Sequence, residues 1–190
     1  MQHNVRRLVI DGGEPIVDFD NKAFKPIPQE GIDLAVSAMN AGVMYRYQPK
    51  KKEQSLTANL ERNFSKYMGV KHTIGTNSCG SAMYIALNIV GVEPGDKILT
   101  NAFTFHAVPS VIHHARAVPV LVESNREWAM DAEDLDRKAA ETGAKVLLMS
   151  YMRGHVPDMD AVMEVVEKHN LIFIEDCAHA YATLWNGQLL

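Results

Sequence analysis

The apolar residues of this chain form two kinds of segment that alternate along most of its length. Short apolar blocks without polar alternation are typical of strands that are buried on both faces of a sheet. Such blocks lie at 97–100, 118–122, 145–150 and 171–174, and a further short strand is predicted at 72–75. Between the blocks, apolar residues three or four positions apart predict helices at 81–90, 107–117, 131–141 and 159–169. Strands separated by helices predict an α/β fold of three layers, with a mostly parallel sheet between two layers of helices.

The N-terminal part of the chain is less regular. Residues 1–28 are rich in Gly, Pro, Asp and Lys, lack a sustained period and are predicted to form an arm, which leaves a body at 29–190. The body begins with a short helix that Gly42 ends, and a second helix follows with Leu56, Leu60, Phe64 and Met68 on one face. The basic loop at 45–52 is interpreted either as a solvated loop or as a clamp for an anionic ligand.

Composition narrows the class of protein. The 190 residues are 47% hydrophobic and 22% charged, the balance of a globular domain rather than of a disordered tail or a coiled coil. A net charge of −4 argues against nucleic acid as a partner, and the longest apolar runs are too short to span a membrane. Cys79 and Cys177 form neither a CxxC pair nor a disulfide framework, and the histidines lack a metal-ligand spacing. We therefore expect a cytoplasmic protein without a metal site.

Small residues at 76–82 connect the strand predicted at 72–75 to the next helix. A helix N-terminus offers free N–H groups and a partial positive charge, so this segment suits an anion such as phosphate. It contains neither a P-loop nor a GxGxxG motif. The alternative is a plain capped turn, since Asn and Ser are common helix caps.

Two more loops follow predicted strands, and ligands of open α/β sheets bind beyond the carboxyl ends of the strands. After 97–100 come Phe103, which we assign to the core, and Phe105, a candidate to stack on a planar ring. After 171–174 comes Asp176, which should be partly desolvated and therefore needs a partner. That partner is either a pyridine nitrogen or, if Asp176 is a helix cap, a backbone N–H. His179 follows three residues later.

Together these loops resemble the DegT/DnrJ/StrS-type sugar aminotransferases, enzymes of fold type I that depend on pyridoxal 5'-phosphate (PLP). Five stretches carry the resemblance in the family's order: a phosphate loop (77–83), a Gly-x-x-x-Gly-Asp turn (91–98), an aromatic segment (103–105), a Gly-x-x-x-Asp-Met-Asp stretch (154–160) and a Glu-Asp stretch (174–180). The resemblance implies the N-terminal portion of a PLP fold-type-I large domain, incomplete at its C-terminus.

The resemblance also implies roles for single residues. Backbone N–H groups of Cys79 and Gly80 would bind the PLP phosphate, and Ser78 or Ser81 would replace the threonine hydroxyl that family members have there. Asp176 would be the catalytic residue that pairs with the ring nitrogen, because an anion there favours the protonated ring and makes it a better electron sink.

The other carried-over residues are Phe105, His179 and Cys177. Phe105 would stack on the pyridine ring, His179 would lie near the phenolic oxygen, and Cys177 would be a packing residue. The family's lysine, which binds the cofactor covalently, belongs downstream of Asp176, but 169–190 contains no lysine. We therefore expect an N-terminal piece of a longer enzyme, one half of a split enzyme or a degenerate relative.

The expected function is the transfer of an amino group from glutamate or glutamine to a keto sugar, above all a nucleotide-linked one, or to a keto-cyclitol. The expected partners are a second copy of the chain in a homodimer or a complementing C-terminal segment. Two alternatives stay open: a non-catalytic binding or regulatory module with the aminotransferase fold, and a pyridoxamine-phosphate-dependent sugar dehydratase in which histidine replaces the lysine.

Overall fold

The computed structural model describes residues 7–15, 25–42, 46 and 55–190. The chain divides into two compact units, Met1–Ser55 and Leu56–Leu190. The first unit contains a 3-10 turn at Val9–Asp11 and helix α1 at Gln29–Ala41, which ends at Gly42 with a φ of 65°. This confirms the first predicted helix and its end. The arm at 1–28 is described in part and stays a prediction, and the loop at 45–52 lies outside the described residues apart from Arg46.

The second unit alternates helices and strands in the predicted order. Its helices are α2 (Leu56–Met68), α3 (Cys79–Ile89), α4 (Ala107–His114), α5 (Ala132–Thr142) and α6 (Met159–His169), and its strands are β1 (Lys97–Asn101), β2 (Val118–Val122), β3 (Val146–Ser150), β4 (Ile172–Asp176), β5 (Leu184–Trp185) and β6 (Gln188–Leu189). Helix α4 ends earlier than predicted because Arg116 adopts a left-handed φ of 59° and closes the helix.

Strands β1 to β4 form one parallel sheet in the order β2-β1-β3-β4. Alternate residues of a strand face opposite sides. Thus Leu99 and Leu147 pack in a buried cluster with residues of α5 and α6, while Ile98 and Leu148 pack in a second cluster with residues of α3 and α4. The predicted three-layer α/β architecture with a parallel sheet is confirmed.

The strand predicted at 72–75 is wrong. This segment is extended but pairs with no described strand, and Ile74 is 71% exposed. Side chains of α2 take the place of a neighbouring strand: the hydroxyl of Ser65 donates to that of Thr73 at 2.7 Å, and Glu61 accepts from the backbone N–H of Gly75 at 2.7 Å. The segment before α3 is therefore anchored to a helix rather than to the sheet.

A hairpin that the sequence analysis did not predict follows β4. Strands β5 and β6 are antiparallel, and Asn186 and Gly187 both have positive φ at the turn, as a two-residue hairpin of this type requires. Asp160 of α6 accepts hydrogen bonds from Trp185 Nε1 at 3.2 Å and Asn186 Nδ2 at 3.3 Å. Across the described residues, no helix has the length and apolar character needed to cross a membrane.

Candidate functional site

The N-terminus of α3 leaves two backbone donors free. Ser78 caps the helix: its hydroxyl accepts from the N–H of Ser81 at 3.1 Å, and its carbonyl accepts from the N–H of Ala82 at 3.0 Å. The N–H groups of Cys79 and Gly80 have no acceptor among the described residues. The capped-turn interpretation is therefore correct for Ser78, and it leaves free the two N–H groups that were predicted to bind an anion.

Asp176 is a buried carboxylate at the carboxyl end of β4, with 7% of its surface exposed. One oxygen, Oδ1, accepts from the N–H of Ala178 at 3.1 Å and lies 3.5 Å from Cys79 Sγ. The other oxygen, Oδ2, accepts no hydrogen bond from a described residue, and no described Lys, Arg or His forms an ion pair with Asp176. The partial desolvation predicted for Asp176 is confirmed, and a carboxylate oxygen without a partner remains.

The contact between Cys79 and Asp176 brings the α3 N-terminus to the carboxyl edge of the sheet. It joins two residues 97 positions apart in the chain. Burial, and then the nearby Asp176 carboxylate, raise the pKa of the Cys79 thiol. Because a carboxylate also disfavours a thiolate, Cys79 stays protonated and its S–H is the donor in this contact.

His179 lies in the turn after β4 and is oriented by the loop after β3. Its Nδ1 accepts from the backbone N–H of Arg153 at 3.0 Å. Because Nδ1 is the acceptor in this contact, Nε2 is the ring nitrogen that can donate to a ligand. Arg153 has a left-handed φ of 56°, a strained conformation for a residue with a side chain.

Phe105 and Phe103 lie in the loop between β1 and α4. Phe105 is 51% exposed and its ring centroid is 4.2 Å from that of His106. Its stacking on a ligand ring stays a prediction. Phe103 is partly buried and packs on Trp128 and His155, with centroids 5.3 and 6.4 Å away, so it belongs to a small aromatic group instead of the main core.

Cys177 and Glu175 face the α5 and α6 side of β4. Cys177 packs against the buried cluster on that side, which confirms its prediction as a packing residue. Glu175 accepts a hydrogen bond from the hydroxyl of Tyr151, whose side chain is buried. Burial, and then the Glu175 carboxylate, raise the pKa of that hydroxyl well above its usual range, so Tyr151 is a fixed donor that holds the end of β4.

A cavity of about 620 Å³ opens beside the α3 N-terminus. Ser78, Gly80 and Ser81 line it together with Tyr84 and His114, whereas Asp176, Phe105 and His179 do not. The cavity therefore adjoins the α3 N-terminus but not Asp176, which contacts this helix through the Cys79 side chain.

Two residues that orient the site were missed by the sequence analysis. Asn101, the last residue of β1, hydrogen-bonds the backbone of Ser150, which pairs with Asp176 in the sheet. Arg153 orients His179 through its backbone. An amide at the end of an apolar strand was the available signal for Asn101, while a backbone donor such as Arg153 leaves no signal in the sequence.

These contacts define what the site can hold. Two free N–H groups and the positive end of α3 suit an anion. The Asp176 oxygen without a partner among the described residues suits an N–H donor, since a carboxylate oxygen can only accept. The arrangement therefore fits a ligand that carries an anionic group and, apart from it, an N–H donor.

The comparisons with known proteins agree with this chemistry. The sequence model of the DegT/DnrJ/EryC1/StrS aminotransferase family matches residues 48–190. The GDP-perosamine synthase of Caulobacter vibrioides is 33% identical over 130 residues, which are 68% of this chain and 35% of that protein. A Micromonospora echinospora protein, named provisionally as an L-glutamine:3-amino-2,3-dideoxy-scyllo-inosose aminotransferase, is 26% identical over 187 residues, which are 96% of this chain and 43% of that protein.

A solved structure extends the likeness to the fold. Spr1654 of Streptococcus pneumoniae in its PLP form, named provisionally as a sugar aminotransferase, superposes with a TM-score of 0.76 at 29% identity. The match covers 86% of this chain and 44% of that one. This chain thus spans 35% to 44% of the length of these three proteins.

Proposed function

The chain belongs to the DegT/DnrJ/EryC1/StrS aminotransferase family, and on this premise we propose that it binds PLP for the transfer of an amino group to a keto sugar. One observation carries the proposal: the α3 N-terminus, where the N–H groups of Cys79 and Gly80 are free, contacts Asp176 through the Cys79 side chain, and Asp176 Oδ2 has no partner among the described residues. A phosphate and a protonated ring nitrogen would satisfy both.

When bound, PLP would supply an electron sink for the electron pair that stays on the substrate carbon when its proton is removed. The residues of this chain bind the cofactor and set the protonation of its ring nitrogen. The α3 N-terminus binds the phosphate, and Asp176 holds the proton on the ring nitrogen by charge and hydrogen bonding. His179 donates from Nε2 toward the phenolic oxygen, and Phe105 covers one face of the ring.

The substrates we propose are glutamate or glutamine as amino donor and, as acceptor, a keto sugar, above all a nucleotide-linked one, or a keto-cyclitol. The relatives' names support this class, since one names a GDP-linked amino sugar and the other an amino-inosose. The comparisons favour neither the non-catalytic module nor the dehydratase. Because 169–190 contains no lysine, we place the family's lysine outside residues 1–190.

We further propose that the working unit is a homodimer. The outer face of α3 supports this, because it exposes the apolar residues Tyr84, Ile85 and Ile89, the last of them at 78%. Sedimentation of the active protein tests the proposal, and a monomer would contradict it.

A titration of the chain with PLP tests the binding site. We expect wild type to bind PLP more tightly than pyridoxal, because pyridoxal lacks the phosphate that α3 binds. Asp176→Asn should weaken binding, whereas Glu164→Gln, which removes a carboxylate from the exposed face of α6, should not. Equal binding of PLP and pyridoxal, or full binding by Asp176→Asn, would contradict the proposed site.

Transamination tests the function itself. With a polypeptide that supplies the lysine, we expect wild type to transfer an amino group from glutamate or glutamine to a keto sugar. Asp176→Asn should lower the rate about 100-fold or more, because the ring nitrogen loses its anionic partner. An unchanged rate would show that Asp176 does not have this role.

A further inference from the structure

Cys79 contributes two different groups at the site. Its backbone N–H is one of the two free donors at the α3 N-terminus. Its side chain reaches the opposite way along the sheet edge, where Sγ lies 3.5 Å from Asp176 Oδ1. The thiol hydrogen is the donor, because an ionised carboxylate can only accept.

Asp176 accepts two hydrogen bonds, and both are to the same oxygen. The Ala178 N–H is 3.1 Å from Oδ1, the atom that Cys79 also contacts. These two contacts approach from different elements, the turn after β4 and the first turn of α3, so together they fix the rotation of the carboxylate group. Oδ2 accepts no hydrogen bond from the described residues, although only 7% of the Asp176 surface is exposed.

We propose that Cys79 is a positioning residue for Asp176, holding Oδ1 through its thiol so that Oδ2 faces the bound ligand. This rests on the proposed function for the identity of that ligand, PLP, and its ring nitrogen. A thiol is a weak donor, so it orients the carboxylate while leaving most of the negative charge for the ligand. Glycine or alanine at position 79 would keep the backbone N–H and lose this restraint.

Substitution of Cys79 in the full chain distinguishes the contribution of its thiol from that of its backbone N–H. Cys79→Ala removes the donor, Cys79→Ser keeps one, and Cys177→Ala is the matched control on the other side of β4. We expect Cys79→Ala to weaken PLP binding about threefold to tenfold and Cys79→Ser to stay within about twofold of wild type. Binding of inorganic phosphate, followed by 31P NMR, should be the same in all variants because every one keeps the backbone N–H.

A spectroscopic measurement distinguishes positioning from a loss of packing. In PLP labelled with 15N in its ring, Cys79→Ala should move the nitrogen resonance toward that of the unprotonated ring, and Cys79→Ser should restore it. If wild type and Cys79→Ala have equal PLP affinities and equal nitrogen resonances, the positioning role of Cys79 is overturned. The proposed function is unaffected by that result as long as the protein binds PLP.

Alkylation of Cys79 tests the contact without any cofactor. Beside burial, Asp176 is the titratable group that raises the pKa of the Cys79 thiol. A Cys177→Ala background removes the other cysteine, whose own pKa responds to Cys79. In this background Asp176→Asn should speed the reaction of Cys79 with iodoacetamide, because the carboxylate that disfavours the thiolate is gone. Glu164→Gln should leave the rate unchanged.

The outcomes of this experiment are distinct. A rate that does not respond to Asp176→Asn would overturn the proposal. A chain that binds no PLP but whose Cys79 alkylation responds to Asp176→Asn would support the contact and overturn the proposed function instead.

Discussion

The side chain of Asn101 forms two hydrogen bonds with the backbone of Ser150, in place of the backbone pairing between their two strands. Its Oδ1 accepts from the Ser150 N–H at 3.0 Å and its Nδ2 donates to the Ser150 carbonyl at 2.9 Å, so one amide satisfies both backbone groups of one residue. The regular pairing of β1 with β3 ends at Leu99 and Leu147, and the Asn101 amide continues it to the carboxyl edge. This edge carries Asp176, which pairs with Ser150 on the next strand.

Asn101→Asp is expected to destabilise the fold by about 1–3 kcal/mol. Asn101 is 4% exposed, and replacing its NH₂ with a carboxylate oxygen leaves the Ser150 carbonyl without a donor and sets two acceptors against each other. Urea denaturation measures the change. Asn63→Asp, on the exposed side of α2, is the control and should stay within about 0.5 kcal/mol of wild type. Equal stability of the two variants would contradict the role given to Asn101.

Gly154→Ala should destabilise the protein by about 1 kcal/mol or more. Gly154 has a φ of 79°, and a Cβ there would lie 3.3 Å from the His179 carbonyl oxygen. The substitution therefore strains the loop that orients His179. Gly80→Ala is the matched control: a Cβ there meets its nearest neighbours at 3.8 and 4.0 Å, and alanine favours the helix, so stability should hold or rise. Thermal unfolding that ranks the two variants in the reverse order would refute this.

Asp136→Asn should lower stability at neutral pH and have little effect in acid. Hydrogen bonds from Lys168 and then His169 lower the pKa of the Asp136 carboxyl and tie α5 to α6. A carboxyl with a depressed pKa in the folded state stabilises the fold above its unfolded pKa, and this contribution disappears as the pH falls through the folded value. Denaturation curves of wild type and Asp136→Asn should thus differ at pH 7 and converge as the pH falls below about 4. A difference that is constant over this range would exclude the ion pair as its cause.

Cys177 should resist alkylation while the protein is folded. Burial, and then the Glu175 carboxylate, raise the pKa of its thiol to about 11. At pH 7.5 roughly one thiol in 3,000 is then ionised, and its reaction with iodoacetamide should be on the order of 100-fold slower than that of free cysteine. Peptide mass spectrometry follows the rate at this position. In urea the rate should rise to that of free cysteine, and a folded rate already at that level would disprove the shift.

Hydrophobic pattern was sufficient for the elements that pack on both faces of the sheet. Strand β2 and helix α6 have the predicted bounds, since an uninterrupted apolar run favours a strand and a regular amphipathic period favours a helix. The predicted burial of β2 on both faces is not observed, because β2 lies at the end of the described sheet, where Val118 and Leu121 are 48% and 46% exposed. The segment at 72–75 contains a single large apolar residue, Ile74, and its hydrogen bonds come from α2. Its conformation depends on a neighbour that no local pattern reveals.

The candidate site was predictable as a set of loops but not as a set of contacts. Asp176, at the end of β4, and the α3 N-terminus meet, although the segment before α3 is held by α2 and not by a strand of the sheet. The thiol contact depends on α3 starting at Cys79 instead of Ser81, a shift of two residues that turns the Cys79 side chain toward β4. The bond from Arg153 to His179 depends on a left-handed backbone that only the structure shows.

The strand order sets the sequence in which this sheet can assemble. Strand β1 meets β2 after one helix, but its other neighbour, β3, lies further along the chain: Ile98 pairs with Val146 and with Pro119. Bringing distant segments together costs more loop entropy than bringing near ones. We expect β1, α4 and β2 to form first. One edge of β1 is then unpaired, and the backbone groups of Ile98 and Leu99 at this edge have no partner until β3 forms beside them. During synthesis or refolding, that edge is the place where another chain can pair in place of β3.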